Sequence, residues 1–426
     1  MSLLMRGALV VDPSQNLADP RDLLIDRGKI AALEPPGSIP PEEHRVIDVR
    51  NLVLTPGLID MHVHLREPGE EYKETIFTGA RAAVRGGFTA VAAMPNTRPV
   101  NDTASVTRFI VDQAKHAGLA RVHPVAAISV GSLGMMLSEY GDLKVAGAVA
   151  LSDDGRPVMN GLLMRRAMEY ACTFSLPIIS HCEDLDLRAE GVIHEGLVSL
   201  ELGLRGIPAA AEEVMVFRDA TLARLTGARL HIAHVSTAGS VAIIRQAKAA
   251  GVKITAETAP HYFSLTDAAV LGYNTNAKVN PPLRTPADVE AIKEGLRDGA
   301  LDAIASDHAP HTVLEKDLEF GLAAFGLIGL ETSLGLSLKL VHDGVLTLSQ
   351  LVAKMSTDPA RILGVTGGCL CVGQPADITL IDLNREWQVD VGEFASKSRN
   401  CPFQGWNLKG KTVMTMVGGK IVWQED

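Results

Sequence analysis

Cysteine is scarce in this chain: Cys172, Cys182, Cys369, Cys371 and Cys401 are the five in 426 residues. Their spacing frames no disulfide-stapled domain, which suits a reducing, cytoplasmic setting. Cys369 and Cys371 stand close together, but no second cysteine or histidine pair accompanies them, so they are not read as a metal-ligand set. Positive charge is also in deficit. With 40 Lys and Arg against 50 Asp and Glu the net charge is −10, and the absence of a basic footprint excludes nucleic acid as a partner. No apolar run approaches the roughly 20 residues that span a bilayer. The opening "MSLLMRGALVVDPSQN" is too short and too soon acidic for a secretory signal. Missing as well is a G-x-G-x-x-G after the first strand of the central region, which argues against a doubly wound nucleotide-binding sheet. What remains, 46% hydrophobic and 21% charged residues, is an ordinary globular composition.

Two textures divide the chain. Its first 54 residues and its last 61 alternate apolar and polar residues between Gly, Pro and Asp, as short strands do: "LLMRGALVV" and "DLLIDRGKIAALE" at one end, "ADITLIDLNREWQV" and "GKTVMTMVGGKIVW" at the other. Either end alone has too little core, so the two are expected to pair into one small β-sandwich from residues 1–54 and 366–426. Residues 55–365 instead alternate strand-length apolar runs with amphipathic stretches, the latter at 75–85, 103–116, 161–174 and 240–250. Eight strands are read: "LTPGLIDMHVHL", "FTAVAAMPN", "RVHPVAAIS", "GAVALSDD", "LPIISHCED", "RLHIAHVS", "VKITAETAPH" and "LDAIASDHAP". Eight βα units over about 300 residues predict an α/β chain with a (β/α)8 barrel of the TIM type.

Polar residues gather at the C-terminal ends of these strands. His62 and His64 end the first, Asn96 the second, Asp153 and Asp154 the fourth, His181 the fifth, His234 the sixth, His261 the seventh, and Asp307 with His308 the eighth. In a barrel those ends share one rim, where active sites sit. Period-two alternation puts His62 and His64 on one face of one strand, able to point at one ion. A lone histidine at a strand end is more often hydrogen-bonded packing than a ligand. His62, His64, His181, His234 and Asp307 together are read as a metal site, and imidazole with carboxylate suits zinc. Arg66 follows His64 by two residues, and its planar fork suits a carboxylate. Asn96, ahead of Thr97 and Pro99, also fits a plain turn. His123 and His231 are read as core or as supports behind the site, and His44, His116, His194 and His342 as surface groups. Residues 311–329, charged early and glycine-punctuated late, read as a mobile loop able to cover the site.

The motifs "PGLIDMHVHLREPG", "AAMPNTRP", "SDDGRPV", "HCED", "IAHVST", "ETAPHYFSLT", "KVNPPLR" and "ASDHAPHT" resemble those of class I bacterial dihydroorotases of the amidohydrolase superfamily, in order and over nearly the whole chain. The resemblance implies a cyclic amide hydrolase that interconverts N-carbamoyl-L-aspartate and L-dihydroorotate in cytoplasmic pyrimidine synthesis, with one or two Zn2+ per chain. It assigns His62, His64 and Asp307 to one zinc and His181 and His234 to a second. Many superfamily members bridge two metals with a strand-four lysine; this strand has none, and the class I pattern puts Asp154 there. By the same resemblance Asp307 moves protons, Arg66, Asn96 and His311 bind the substrate carboxylate, and Asn280 contacts the ring. The pattern has a proline before "FG" where this chain has Ala324. A homodimer and a complex with aspartate transcarbamoylase are both compatible with the resemblance. The rival readings are a hydantoinase or allantoinase, disfavoured by the missing lysine and by "HLREPG", and a non-catalytic transcarbamoylase scaffold, disfavoured because every ligand position is filled.

Overall fold

The computed structural model describes residues 2–425. Eight parallel strands lie side by side in chain order: β1 (Leu58–Val63), β2 (Phe88–Ala93), β3 (Arg121–Ala126), β4 (Ala150–Leu151), β5 (Ile178–Ser180), β6 (Leu230–Ile232), β7 (Ile254–Thr258) and β8 (Ala303–Ile304). The ring closes where His64 N donates to His308 O at 2.8 Å, beside a parallel bridge between Val63 and His308. This is the (β/α)8 barrel that the alternation of strand and helix patterns predicts. Met61, Ala92, Val125, Ala150, Ile179, Ala233 and Ala303 share one buried cluster with Ile362 and Leu363. Alanine at three of the strand positions, with Ala233 just beyond β6, leaves room for that pair, which comes from the helix Asp358–Leu363.

The helices begin where side chains cap them. Thr75 and Thr78 form a capping box at the head of the helix Ile76–Arg85, whose inner face buries Ile76, Ala80, Ala83 and Val84. Gly161–Phe174 has the expected limits, with Asn160 accepting from Leu162 N and Leu163 N. Ala238–Ala249 starts two residues earlier than expected, because Thr237 accepts from Ser240 N and draws the preceding turn into the helix.

The two ends of the chain share one eight-stranded sheet. Leu3–Asp12, Leu17–Asp26, Lys29–Glu34, Arg45–Asp48 and Val53–Pro56 join Ile378–Gln388, Asn407–Val417 and Lys420–Gln424. The seam is antiparallel, with Val53 opposite Ile381 and Pro56 opposite Ile378. Met5, Val10, Leu23 and Leu54 from one end pack with Leu370, Ile378, Leu380 and Met416 from the other. Polar pins fasten this sheet to the barrel: Arg121 grips Asp377 through two bonds of 2.9 and 3.1 Å, and Thr379 Oγ1 donates to Gly87 O at 2.5 Å. Gly87 has φ +94°, and a Cβ there would lie 2.6 Å from Thr412 Oγ1 and 2.8 Å from Thr379 Cγ2, so only glycine fits the junction.

Asp12 is the tightest polar tie between the ends. Its buried carboxylate accepts from Ser14 N, Ser14 Oγ, Gln15 Nε2 and, across the seam, Leu370 N at 2.7 Å. Asp12→Ala leaves the Leu370 amide buried without a partner and is expected to cost about 3 kcal/mol in a urea titration. Unchanged stability would show that this tie contributes little.

Candidate active site

The strands end at one rim, and the polar residues there converge. His62 lies in β1 and His64 just beyond it; Asp154 follows β4 by three residues, His181 follows β5 directly, His234 follows β6 by two, and Asp307 follows β8 by three. His62 Nε2, His181 Nδ1 and His234 Nε2 approach Asp154 Oδ1 at 3.4, 3.6 and 3.5 Å, while His64 Nε2 is 3.6 Å from Oδ2. Asp307 Oδ1 sits 3.1 Å from His64 Nε2 and 3.5 Å from His62 Nε2. All six side chains are buried. Asp153, by contrast, turns away and accepts from Ser129 N and Ser129 Oγ.

Among the described residues, His62, His64 and Asp154 form one group of ligand atoms within 4.8 Å of one another, and Asp154, His181 and His234 form another. Most separations around Asp154 exceed ordinary hydrogen-bond length, and His62 Nε2 and Asp154 Oδ1 are buried without hydrogen-bond partners. Buried groups of this kind are satisfied by coordinating a cation, and imidazole with carboxylate is a donor set for a divalent transition metal. The residues present therefore fit one or two metal ions, with Asp154 common to both groups.

Electrostatics point the same way. Burial works against the charge on Asp154, but His62, His181 and His234 overcome it and hold the carboxyl well below its usual range. Asp307 is likewise held low, with His62 and His64 outweighing burial. Burial opposes a charged His62, yet Asp154, Asp307 and Glu257 lift it well above an ordinary imidazole. His181 rises to about 10 because Asp154 and Glu183 outweigh its burial. Negative charge in this pocket thus stabilises cations of any kind.

Three of these residues, or their immediate neighbours, carry backbone strain. Arg66, His234 and Asp307 have φ of +62°, +37° and +48°, a region that side chains other than glycine's occupy at a cost of order 1–3 kcal/mol. Arg66 is buried, donating from Nε to Pro310 O at 3.2 Å, with its Nη2 3.3 Å from His311 Nε2. Burial, with Arg66 beside it, presses His311 down to about 2, so that imidazole is neutral. Asn96 offers Oδ1 to His64 Nδ1 at 2.8 Å and donates from Nδ2 to Asp154 Oδ2 at 3.4 Å. Asn280 donates to Glu183 Oε2 at 3.2 Å and keeps Oδ1 buried and unpartnered. Arg66, Asn96, Asn280 and His311 line one cavity of about 240 Å³ with His64, Asp154, His181, His234 and Asp307. Of the residues that the sequence assigns to metal or substrate, all but His62 border that space; Asp153, His261 and His308, also at strand ends, do not.

Other residues matter here that the strand-end pattern does not flag. Glu257, in β7, joins His62 Nδ1 at 2.6 Å to His231 Nε2 at 3.3 Å, fixing the ring that faces Asp154. Glu183 and Arg188 stand beside His181 and Asn280. Their signal in the sequence was a carboxylate inside a buried strand, "ITAET", and an acidic residue in "HCED". His194 corrects the surface assignment: it is buried, with Nδ1 3.1 Å from Arg284 Nη1.

The family model described as dihydro-orotase-like matches residues 51–240. The chain is 57% identical to a dihydroorotase of Syntrophus aciditrophicus (strain SB), over 100% of each chain, and 59% identical to one of Geobacter sulfurreducens (strain ATCC 51573 / DSM 12127 / PCA), over 99% of each. An L-hydantoinase (dihydropyrimidinase) from Arthrobacter aurescens superposes with TM-score 0.88 at 27% identity, over 99% of this chain and 96% of that one. A dihydropyrimidinase from Brevibacillus agri NCHU1002, at 23% identity and TM-score 0.84, covers 95% of its own length and shares the fold. Full-length identity near three residues in five, on a barrel whose rim carries this ligand set, places the chain in the dihydroorotase family.

Proposed function

We propose that this enzyme catalyses the reversible, zinc-dependent cyclisation of N-carbamoyl-L-aspartate to L-dihydroorotate in cytoplasmic de novo pyrimidine synthesis. The observation that carries this reading is the shared carboxylate: four imidazoles face Asp154, where a bridging lysine would mark other cyclic amidases. His62, His64 and Asp307 would hold one zinc and His181 and His234 a second, with Asp154 between them. A zinc held by these residues would supply a Lewis acid for the ring carbonyl and would bring the deprotonation of water toward neutral pH.

The chain's own groups do the rest. Asp307 takes the proton from the attacking water and delivers it to the ring nitrogen as the C–O bond forms and the C–N bond breaks; cyclisation runs the same transfers backwards. Arg66, with neutral His311 and the Asn96 amide, receives the substrate carboxylate. Asn280 Oδ1 accepts from the ring N–H. The reading carries with it the division into a catalytic barrel, residues 55–365, and a sandwich from residues 1–54 and 366–426.

Arg66→Ala removes a charge-assisted contact and is expected to raise KM for L-dihydroorotate about 100-fold, with kcat much less affected. An unchanged KM would remove Arg66 from the substrate site. The test of the whole reading is ring opening of L-dihydroorotate by the purified chain, with metal content determined on the same sample. Turnover that a chelator abolishes and zinc restores supports it. Turnover of hydantoin or allantoin instead would favour the rival amidase. Repeating the assay with added aspartate transcarbamoylase, alongside the native mass, tests for that complex and for a homodimer.

A further inference from the structure

Two lysines beside the cavity have an unusual setting. Lys278, two residues before Asn280, is 2% exposed, and its Nζ donates to Phe320 O at 2.6 Å, Gly321 O at 3.1 Å and Ala323 O at 2.7 Å. Lys316 is 5% exposed and donates to Ala324 O at 2.7 Å, Gly326 O at 2.9 Å and Lys278 O at 3.5 Å. Among the described residues neither makes an ion pair; Glu315, next to Lys316, pairs instead with Lys73 at 2.9 Å. An ammonium has three donors and no more, so both groups are spent almost entirely on main-chain carbonyls of one ten-residue stretch.

Besides the two lysines, that stretch, residues 317–326, is held by the buried side chains of Phe320 and Ala323 and by Asn400 Nδ2, which donates to Gly326 O at 3.1 Å. Leu318 and Leu322 are exposed at 48% and 72%. Yet it ends at Phe325 and Gly326, which line the cavity with Asn280, Arg66 and His311. Lys278 Nζ lies 4.4 Å from the Phe325 ring centroid, and Gly326 N donates to Lys278 O at 2.9 Å. Gly326 has φ +128°, and a Cβ there would come 2.7 Å from Ala309 Cβ and 3.3 Å from His311 Cδ2, so the wall is already pressed against the carboxylate-binding corner.

We propose that Lys278 and Lys316 are positioning residues that clamp residues 317–326, so that Phe325 and Gly326 stand as a preformed wall of the substrate cavity. The clamp spares the substrate the cost of ordering that wall on binding. It acts on affinity, because neither ammonium touches the groups around Asp154. The inference rests on substrate occupying this cavity, as proposed above.

The test compares the zinc-loaded full chain with Lys278→Met, Lys316→Met and Phe325→Ala in ring opening of L-dihydroorotate, each checked by thermal unfolding. Expected are a KM raised about tenfold with kcat within about threefold, and faster protease cleavage within 317–326 that saturating L-dihydroorotate suppresses. Phe325→Ala leaves both ammonium groups bonded, so it reads the wall even where a lysine variant fails to fold. An unchanged KM in folded Lys316→Met and Phe325→Ala, or a loss confined to kcat, overturns the clamp. Absence of turnover in the unmodified chain would sink the functional reading instead, which separates the two failures.

Discussion

Asp154→Ala is expected to lose both bound zinc and turnover, while Asp153→Ala keeps both. The two aspartates are neighbours in sequence but not in chemistry: Asp154 faces His62, His64, His181 and His234, whereas Asp153 holds Ser129. Without the Asp154 carboxylate, four buried imidazoles lose their common anion, and the two ligand groups lose the member they share. Charge stabilisation of several kcal/mol is at stake, which corresponds to a fall in kcat of at least about 1,000-fold. Metal content by mass spectrometry and the initial rate are read on the same preparation. An Asp154→Ala enzyme that retains full zinc and more than a tenth of its rate would show that Asp154 is not a ligand.

Asp307→Asn should separate proton transfer from metal binding. The amide keeps an oxygen near His64 Nε2 but cannot accept the proton of water. General acid–base catalysis contributes about 100- to 10,000-fold, and a loss within that range is expected for ring opening and ring closure alike, since one carboxylate serves both. KM and zinc content should stay near their original values, with His62, His64, Asp154, His181 and His234 in place. A variant that loses zinc in proportion to its rate would make Asp307 a plain ligand without a proton-transfer role.

The barrel was readable because its chemistry is periodic. Apolar runs of strand length recur eight times, seven of them followed by a candidate polar residue at the rim, and His62-x-His64 betrays its common face by spacing alone. The strand ends proved shorter than the apolar runs suggested: β4 is two residues, Ala150–Leu151, with Ser152 N still bonded to Ala126 O at 2.8 Å before the chain carries Asp154 inward. Choosing between Asp153 and Asp154 needed the resemblance, since two adjacent carboxylates carry no periodic signal. His194 was misread for the opposite reason. Its surroundings, "GVIHEG", look like a surface turn, and it is buried by Arg284, ninety positions away. Glu257 escaped notice because one carboxylate inside a strand says nothing of the two histidines it joins. Long-range partners of this kind are invisible to local pattern.

The seam between Val53–Pro56 and Ile378–Gln388 also sets a timetable. During synthesis the first strands emerge early, but the strand that completes their sheet follows some 320 residues later. At ribosomal speeds of about 5–20 residues per second that is a wait of roughly 15 to 60 s. Through it the inner edge of Val53–Pro56 is without its neighbour, while all eight barrel strands are made. The accessory sheet is therefore the last part of the molecule to be finished and the part most exposed to mispairing in a crowded cell.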